Sequence, residues 1–377
     1  MKRPKLTFVM TSFIIGGAER QWTQYLSQRP QNPDWDIEII TLMPAKAESI
    51  EQSFIDSGVK TLLIDRTTTS FPLFLWKLFR EIQTRKPDIV HTVLDGSTAT
   101  WGRLCALLAG VPIIMHSDRN LKSPMVTPLQ NRLRPYLDRF TARFLPNAQA
   151  IADMLVDKGI PANKVFVMPN STNIERFDPE TTASLRDKWG IAQEASVAGY
   201  LGAFRKAKRL DLLLEAMLLV PEEKRPDYLV MAGTGQEMDD IKSRIDKSDW
   251  LKSHCLLLGS IDNTPEFLKS IDYLMLMSDF EGLPNVVLEA MAMEKPVVAT
   301  AVSDVPTLIE GAGILVEAGN PQSMAEGMEK MFTMPELERK ALGAFGRQKV
   351  QDNYEISKSN ATFWQHHADV MQAKGRL

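Results

Sequence analysis

The chain has 377 residues, of which 44% are hydrophobic and 24% are charged, and its formal net charge is −3. This composition is typical of a soluble globular protein with more than one domain, and it argues against nucleic acid as a partner. The two cysteines, Cys105 and Cys255, belong to no Cys-x-x-Cys or Cys/His cluster. We therefore expect neither a disulfide framework nor a zinc site, and a reducing cytoplasm is the predicted location.

The N-terminal stretch MKRPKLTFVMTSFIIGG has the basic start and apolar run of a signal peptide. The run is only as long as one strand, however, and it ends at Gly-Gly-Ala-Glu-Arg rather than at a cleavage-type spacer. A strand and a glycine turn are therefore predicted there. The chain contains no run of about 18 apolar residues, so no membrane span is expected.

Strand-like and helix-like segments alternate through the first half of the chain. Strands are predicted over KLTFVMTSF, WDIEIITLM, VKTLLID, KPDIVHTVL and PIIMHS, and helices over AERQWTQYLSQ, AESIEQSFIDSG and TATWGRLCALLAG. Gly58 has the position of a helix C-terminal cap. This βαβ alternation predicts a parallel sheet with helices on both faces.

The alternation restarts after the polar stretch NIERFDPETTASL, which we take as the domain boundary. The predicted domains are residues 1–178 and 179–356, with a C-terminal helix of about 357–377 that packs back on the first domain. The predicted fold class is α/β, with two Rossmann-like domains facing each other across a cleft. Because ligands of such sheets bind beyond the carboxyl ends of the strands, the functional residues are sought there.

The segment DFEGLPNVVLEAMAMEKPVVAT places Glu281 in a loop and Glu289 one turn inside an otherwise apolar helix. The first N–H groups of that helix are donors for phosphate oxygens. A carboxylate accepts hydrogen bonds from vicinal hydroxyls, so a sugar or a ribose is the natural partner of each glutamate. The alternative is an exposed turn residue followed by a surface helix residue.

Three other segments place polar groups at predicted strand ends. The segment LGAFRKAKRLD carries four cations that suit a diphosphate, although a solvated basic loop is the alternative: Arg205, Lys206, Lys208 and Arg209. Gly16 and Gly17 would let backbone N–H groups approach an anion, or they form an ordinary tight turn. His116 ends a strand of the first domain and is either a site residue or a structural histidine.

Together these segments resemble retaining glycosyltransferase family four, which has the GT-B fold. EGLPNVVLEAMAMEKPVVAT resembles the E-x7-E signature of that family, and GGAER its N-terminal glycine loop. LGAFRKAKRLDLLLEA is similar to its phosphate-binding segment, VFVMPNSTNIERFDP to its interdomain stretch, and GILVEAGNPQSMAEGM to the segment that follows the signature. The five segments stand in the expected order.

The resemblance implies a retaining, metal-independent hexosyltransferase of EC class 2.4 that needs no cofactor and uses a UDP-sugar, with UDP-glucose as the first choice. Glu281 would hold hydroxyls of the donor sugar, while Arg205 and Lys208 would neutralise the diphosphate. His116 would orient the donor sugar. The implied donor-binding residues, with Glu289 on the ribose, are Gly16, Gly17, Gly282, Leu283, Pro284, Asn285, Val286 and Glu289.

The sequence departs from the family pattern at three places. Ala203 stands where the family often has arginine, so Arg205 must supply the guanidinium. The interdomain Pro-Asn-Gly is Pro-Asn-Ser here, at residues 169–171. The histidine segment reads HSDRN rather than His-Asp, which leaves the role of His116 open and makes Arg119 a candidate acceptor contact.

The acceptor is predicted to be a glycan or a lipid-linked molecule, and the product a cell-surface polysaccharide or another glycoconjugate. FPLFLWKLFREIQTRK is apolar, aromatic and basic, and residues 119–143 contain six cations but only one acid, Asp138. This pattern predicts peripheral contact with the inner face of the cell membrane, or simply ordinary amphipathic helices. Two competing functions stay open, namely a GT-B nucleotide-sugar epimerase and a non-catalytic sugar-nucleotide-binding protein.

Overall fold

The chain forms two compact units, seen in a computed structural model of the protein. Unit 1 comprises Met1–Asn170 and Ser357–Leu377, and unit 2 comprises Ser171–Ile356. The structure describes residues 3–375 except 15–16, 28, 31–33, 46–48, 95 and 120–125. Each unit contains one six-stranded sheet.

Unit 1 is built on a parallel sheet with the strand order β3-β2-β1-β4-β5-β6. Its strands are β1 Lys5–Met10, β2 Asp36–Thr41, β3 Lys60–Leu63, β4 Ile89–Val93, β5 Ile113–Ser117 and β6 Arg143–Phe144. The order reverses between β1 and β4, which is the topological switch point where ligands of doubly wound sheets bind.

Among the described residues, five α-helices connect these strands and a sixth follows β6. They are α1 Gly17–Ser27, α2 Glu51–Asp56, α3 Phe71–Arg85, α4 Arg103–Leu108, α5 Pro128–Phe140 and α6 Gln149–Asp157. Gly58 has a φ of 72° just after α2, as its predicted capping role requires. The helix predicted over TATWGRLCALLAG begins as a π-helix, Thr98–Gly102, and continues as α4.

Unit 2 repeats the arrangement with the strand order β12-β11-β10-β7-β8-β9, again all parallel. The strands are β7 Val197–Leu201, β8 Tyr228–Ala232, β9 Cys255–Gly259, β10 Tyr273–Leu276, β11 Val297–Thr300 and β12 Gly313–Val316. The helices are α7 Arg186–Trp189, α8 Leu210–Leu219, α9 Met238–Asp246, α10 Asp249–His254, α11 Thr264–Ser270, α12 Asn285–Ala292, α13 Val305–Ile309, α14 Pro321–Phe332 and α15 Glu336–Asn353.

The sheet of unit 2 separates two apolar cores. Leu229 and Met231 of β8 lie in a core with α8 and α14, whereas Val230 and Ala232 lie in another with α12. Successive side chains of a strand point to opposite faces, so the continuous apolar runs of these strands fill both cores. The predicted α/β class with two Rossmann-like domains is confirmed.

The chain passes from unit 1 to unit 2 between Asn170 and Ser171, not at the predicted 178/179. The polar composition of the intervening residues suggested a linker. However, Thr172 N–H donates to Tyr354 O at 2.9 Å, and the Phe177 side chain is buried in the core of unit 2. These contacts assign the stretch to unit 2.

The last helix, α16 Ile356–Gln372, lies almost wholly in unit 1. The ring of Phe363 stacks on Tyr25 with centroids 4.5 Å apart, and Trp364 Nε1–H donates to Tyr25 O at 3.1 Å. His367 bonds to His91 of β4, with 3.0 Å between Nε2 and Nδ1. The helix therefore completes the aromatic core of unit 1.

Candidate active site

Two loops of unit 2 meet at its topological switch point, where the strand order reverses between β7 and β10. One loop follows β7 and contains a short 3-10 helix, Lys206–Lys208, while the other runs from β10 to α12. Asp279 N–H of the second loop donates to Ala207 O of the first at 2.9 Å. Parallel strands bring their carboxyl ends to one edge, so segments about 75 residues apart in sequence become neighbours here.

Glu281 is the centre of this arrangement. Lys208 Nζ lies 2.5 Å from Glu281 Oε1, and the Ser278 hydroxyl donates to the same oxygen at 2.6 Å. The side chains of both charged residues are only partly exposed. The predicted cation and the predicted sugar-binding carboxylate are thus brought together as a charge-assisted pair.

The other cations of the 205–209 segment differ in their contacts. Arg209 has a φ of 48° and forms ion pairs with Asp211 and with Asp279, each at 3.1 Å. It therefore ties the two loops together. Arg205 is exposed, and burial raises the pKa of the nearby Tyr200 hydroxyl, an effect that the charge of Glu281 increases and that of Arg205 opposes. Arg205 and Glu281 thus both lie close enough to Tyr200 to change the pKa of its hydroxyl, in opposite directions.

The loop after Glu281 leads directly into α12. Gly282 precedes Leu283, whose side chain is buried in the core, and Pro284 is the residue before the helix. Proline has no N–H, so Pro284 cannot be one of the implied backbone donors, and it only directs the chain into the helix. Asn285 and Val286 are the first two residues of α12, so their N–H groups lie at the N-terminus of the helix.

Glu289 lies one turn further along α12 and is partly buried. Its neighbours Leu288 and Ala290 are fully buried in the apolar core. The helix therefore presents one carboxylate on the narrow face that its packing leaves accessible. The assignment of Glu289 to a ribose stays a prediction.

His116, near the end of β5 in unit 1, is fully buried. Its Nδ1 atom is 2.8 Å from Thr92 Oγ1, and its Nε2 atom is 3.3 Å from Asp118 Oδ1. Arg134 in turn donates to the same Asp118 oxygen at 3.0 Å. The acid that the HSDRN segment lacks directly after the histidine is thus supplied by Asp118, two residues further on.

Arg119 is buried as well. Its Nη1 donates to Asn170 Oδ1 at 2.6 Å, and its guanidinium carbon lies 5.2 Å from the centre of the Trp22 ring. Contact of Arg119 with an acceptor stays a prediction. Of the two predicted loop glycines, Gly17 begins α1, while Gly16 lies outside the described residues.

Sequence reasoning missed Ser278, Asp118 and Arg134, which support the predicted residues. Each belongs to a common polar residue type. Its hydrogen-bond partner is determined by the three-dimensional fold, so the distance between the two residues in the sequence does not reveal the contact. Among the described residues, no group of three or more His, Cys, Asp or Glu side chains is placed to hold a metal ion. Metal independence stays a prediction.

Comparison with known proteins identifies the family. The family model described as Glycosyltransferase Family 4 matches residues 15–176, and that described as Glycosyl transferases group 1 matches residues 195–334. The first match lies in unit 1 except for residues 171–176, the second lies in unit 2, and together they cover most of the chain. The protein belongs to the family-four glycosyltransferases. The recognition made from the motifs is confirmed, and the two sheets are those of the GT-B fold.

Relatives of this family-four glycosyltransferase match over most of their length. An Escherichia coli UDP-Gal:alpha-D-GlcNAc-diphosphoundecaprenol alpha-1,3-galactosyltransferase is 25% identical over 87% of each chain. The capsular polysaccharide biosynthesis glycosyltransferase CapM of Staphylococcus aureus is 24% identical over 74% of this chain and 76% of its own. The crystal structure of Anabaena HepE in complex with UDP-glucose superimposes with a TM-score of 0.83 and 17% identity, over 97% of this chain and 99% of that one.

Proposed function

We propose that this glycosyltransferase moves a hexose from a UDP-sugar to a glycan or lipid-linked acceptor, with retention of configuration and without a metal ion. Glucose and galactose are the first donor sugars to test. The product is a cell-surface polysaccharide, its lipid-linked precursor or another glycoconjugate. Glu281 holds donor-sugar hydroxyls, Lys208 and Arg205 face the diphosphate, and Glu289 binds the ribose.

One observation carries the proposal, namely the Lys208–Glu281 pair at the switch point of unit 2. A cation and a carboxylate at 2.5 Å, beside the first turn of α12, offer complementary groups to a diphosphate and to a sugar hydroxyl. The positive charge would also stabilise the negative charge that develops on the leaving UDP. The name of the E. coli relative, which specifies UDP-Gal and a diphosphoundecaprenol-linked acceptor, supports the same donor and acceptor classes.

A donor screen tests the proposal. The purified protein is incubated with UDP-glucose, UDP-galactose, UDP-N-acetylglucosamine and GDP-mannose, with and without an undecaprenyl-diphosphate-linked sugar, each in buffer with and without EDTA. We expect UDP release from one UDP-hexose, faster with the acceptor and unaffected by EDTA. Release of GDP alone would contradict the UDP assignment, and loss of activity in EDTA would contradict metal independence.

The same incubation separates the competing functions. An epimerase converts the donor sugar without any acceptor, whereas a transferase at most hydrolyses it slowly. Donor binding without turnover on any acceptor would instead indicate a sugar-nucleotide-binding protein. NMR analysis of the recovered product gives the anomeric configuration of the new bond and tests retention.

We also propose that unit 1 contacts an anionic membrane surface through the outer faces of α3, α4 and α5. The half-exposed side chains there include Trp76 and Tyr136, each 56% exposed. The outer faces also carry four exposed cations: Lys77, Arg80, Arg132 and Arg139. The two acids of these helices, Glu81 and Asp138, are paired with Arg85 and Arg103. None of these four cations forms an ion pair with a described side chain, and Arg80 lies 5.8 Å from the centre of the Trp76 ring. Aromatic side chains among such cations fit anionic headgroups. A second copy of the chain is a poorer partner for this surface, because two cationic faces repel each other.

Sedimentation with vesicles tests the membrane proposal. We expect the protein to bind phosphatidylglycerol vesicles and not phosphatidylcholine vesicles, with binding falling at least about tenfold in Lys77→Glu/Arg80→Glu because each cation near the surface contributes about 1 kcal/mol. Lys242→Glu/Lys247→Glu, on exposed positions of α9 and just after it, is the charge-matched control. Equal loss in both variants would overturn the assignment of this face. Among the described residues, no helix is long and apolar enough to cross a membrane.

A further inference from the structure

The carboxylate of Glu281 is bound on one side only. Lys208 Nζ and Ser278 Oγ both donate to Oε1, at 2.5 and 2.6 Å. Among the described residues, no donor bonds to Oε2. A carboxylate oxygen accepts about two strong hydrogen bonds, so Oε1 is saturated and Oε2 keeps its full capacity.

Ser278 is itself rigidly held. The residue is fully buried just after β10. Its carbonyl oxygen accepts the hydroxyl hydrogen of Thr300, at the end of the neighbouring strand β11, at 2.7 Å. The position of the Ser278 hydroxyl is therefore fixed, and its hydrogen bond to Glu281 restricts rotation of the carboxylate.

We propose that Ser278 is a positioning residue for sugar recognition. Its hydroxyl, together with Lys208, keeps Oε1 of Glu281 occupied and leaves Oε2 as the oxygen that accepts a hydrogen bond from one donor-sugar hydroxyl. This inference rests on the proposed function, since it requires that Glu281 faces the sugar. Without Ser278 the carboxylate rotates more freely, and it accepts hydroxyls from a wider range of directions.

The test compares two Ser→Ala substitutions at buried positions of unit 2. Ser278→Ala removes the donor to Glu281, whereas Ser270→Ala, the matched control, makes the same substitution at a fully buried serine whose hydroxyl bonds to Glu266 O and to Leu185 N–H. For each variant we measure kcat with UDP-glucose and UDP-galactose, the affinity for UDP and the midpoint of thermal unfolding. Glu281→Gln is measured in parallel.

In Ser278→Ala we expect kcat with the preferred donor to fall about tenfold, because a hydrogen bond to a charged group is lost. We also expect the preference between the two epimeric donors to narrow, while UDP affinity stays within about twofold. Ser270→Ala should keep both kcat and the donor preference. A role of Ser278 in stability alone would lower the unfolding midpoint without moving the donor preference.

Two results would overturn the inference. Equal effects of Ser278→Ala and Ser270→Ala on donor preference would show that Ser278 acts through packing. An unchanged kcat and preference in Ser278→Ala, while Glu281→Gln loses activity, would refute the positioning role and leave the proposed function standing. If Glu281→Gln itself keeps full activity, the proposed sugar contact fails, and the inference fails with it.

Discussion

Lys208 and Arg209 are neighbours in the chain, but their side chains have different partners. Lys208 bonds Glu281, while Arg209 is held by Asp211 and Asp279 in two ion pairs. The two carboxylates neutralise the positive charge of Arg209, so this arginine stabilises the loop and attracts a diphosphate only weakly. Lys206, in the same short 3-10 helix, is exposed and has no ion pair among the described side chains.

Lys208→Ala should lower turnover about a hundredfold, since a cation facing the leaving group stabilises the transition state. Lys206→Ala is the matched control, because it removes the same charge two residues earlier and should change turnover less than about threefold. Single-turnover assays with the preferred donor measure both. Equal losses would show that net charge matters rather than position.

Helix α12 ends in a Schellman motif at a residue that is not glycine. Glu294 N–H donates to Met291 O at 3.0 Å, Lys295 N–H donates to Ala290 O at 2.8 Å, and Glu294 has a φ of 58°. A Cβ atom is strained in this left-handed conformation, which is why glycine is usual there. The exposed Glu294 side chain gains only a long contact of 3.9 Å with Arg347.

Glu294→Gly should therefore raise the free energy of unfolding of unit 2 by about 1 kcal/mol. Glu326→Gly, the same substitution at an exposed position inside α14, should lower it by about 1 kcal/mol, because glycine is a poor helix former. Urea unfolding of both variants measures the difference. Destabilisation by Glu294→Gly would mean that its ion pair outweighs the backbone strain.

Three histidines of unit 1, His91, His366 and His367, are kept in their neutral form by burial. His91 forms two hydrogen bonds, from Nδ1 to His367 Nε2 over 3.0 Å and from Nε2 to Ser117 Oγ over 2.9 Å, with the donor in each set by the tautomers. Burial lowers the pKa of His91 well below its ordinary value and lowers the pKa of His367 to about 3. Burial next to Arg143 also lowers the pKa of His366 to about 4. All three join the C-terminal helix to the sheet.

The stability of unit 1 should consequently fall in acid. The unfolded chain takes up protons on these histidines below about pH 6.5, whereas in the folded chain His366 does so only near pH 4, His367 only near pH 3, and His91 only well below its ordinary pKa. The fully buried His367 then removes about 1.4 kcal/mol of unfolding free energy per pH unit between about pH 6.5 and pH 3, and His91 and His366 add to the loss in the same direction. The stabilisation is complete above pH 6.5 and is lost as the pH falls.

Urea unfolding between pH 7 and pH 4 checks this, followed by tryptophan fluorescence, because five of the seven tryptophans lie in unit 1. His367→Gln should make the dependence on pH shallower by about 1.4 kcal/mol per pH unit. His254→Gln in unit 2 should leave the slope for unit 1 unchanged. Parallel curves for the wild type and His367→Gln would contradict this account.

The sequence predicted the features that depend on local pattern. Apolar runs marked the strands, and Glu281 and Lys208 were placed at strand ends that a parallel sheet must bring to one edge. It did not predict which cation reaches Glu281, because the left-handed backbone of Arg209 turns that side chain toward Asp279. Strand β6 has only two residues, which is too short to show an alternation of apolar and polar residues. The π-helix before α4 has only five residues, and its sequence does not distinguish it from the start of an α-helix.

The supporting residues were missed for a different physical reason. Ser278 and Asp118 bond to Glu281 and His116 only through the conformation of the loops, and neither residue type is unusual at a strand end. The absence of an acid directly after His116 left the role of this histidine open. The turn after β5 brings Asp118 to the imidazole instead, which only the three-dimensional structure reveals.

The place of α16 has a consequence for biosynthesis. The ribosome completes unit 2 before it makes α16, which carries Phe363, Trp364 and His367. The aromatic core of unit 1 therefore stays incomplete until the end of synthesis. Domains commonly fold in the order of their synthesis, from the N-terminus. Here unit 2 is fully synthesised before unit 1, because unit 1 includes the C-terminal residues. Until α16 emerges, the side of unit 1 around Tyr25 and His91 is exposed, and this surface is where a nascent chain would need a chaperone.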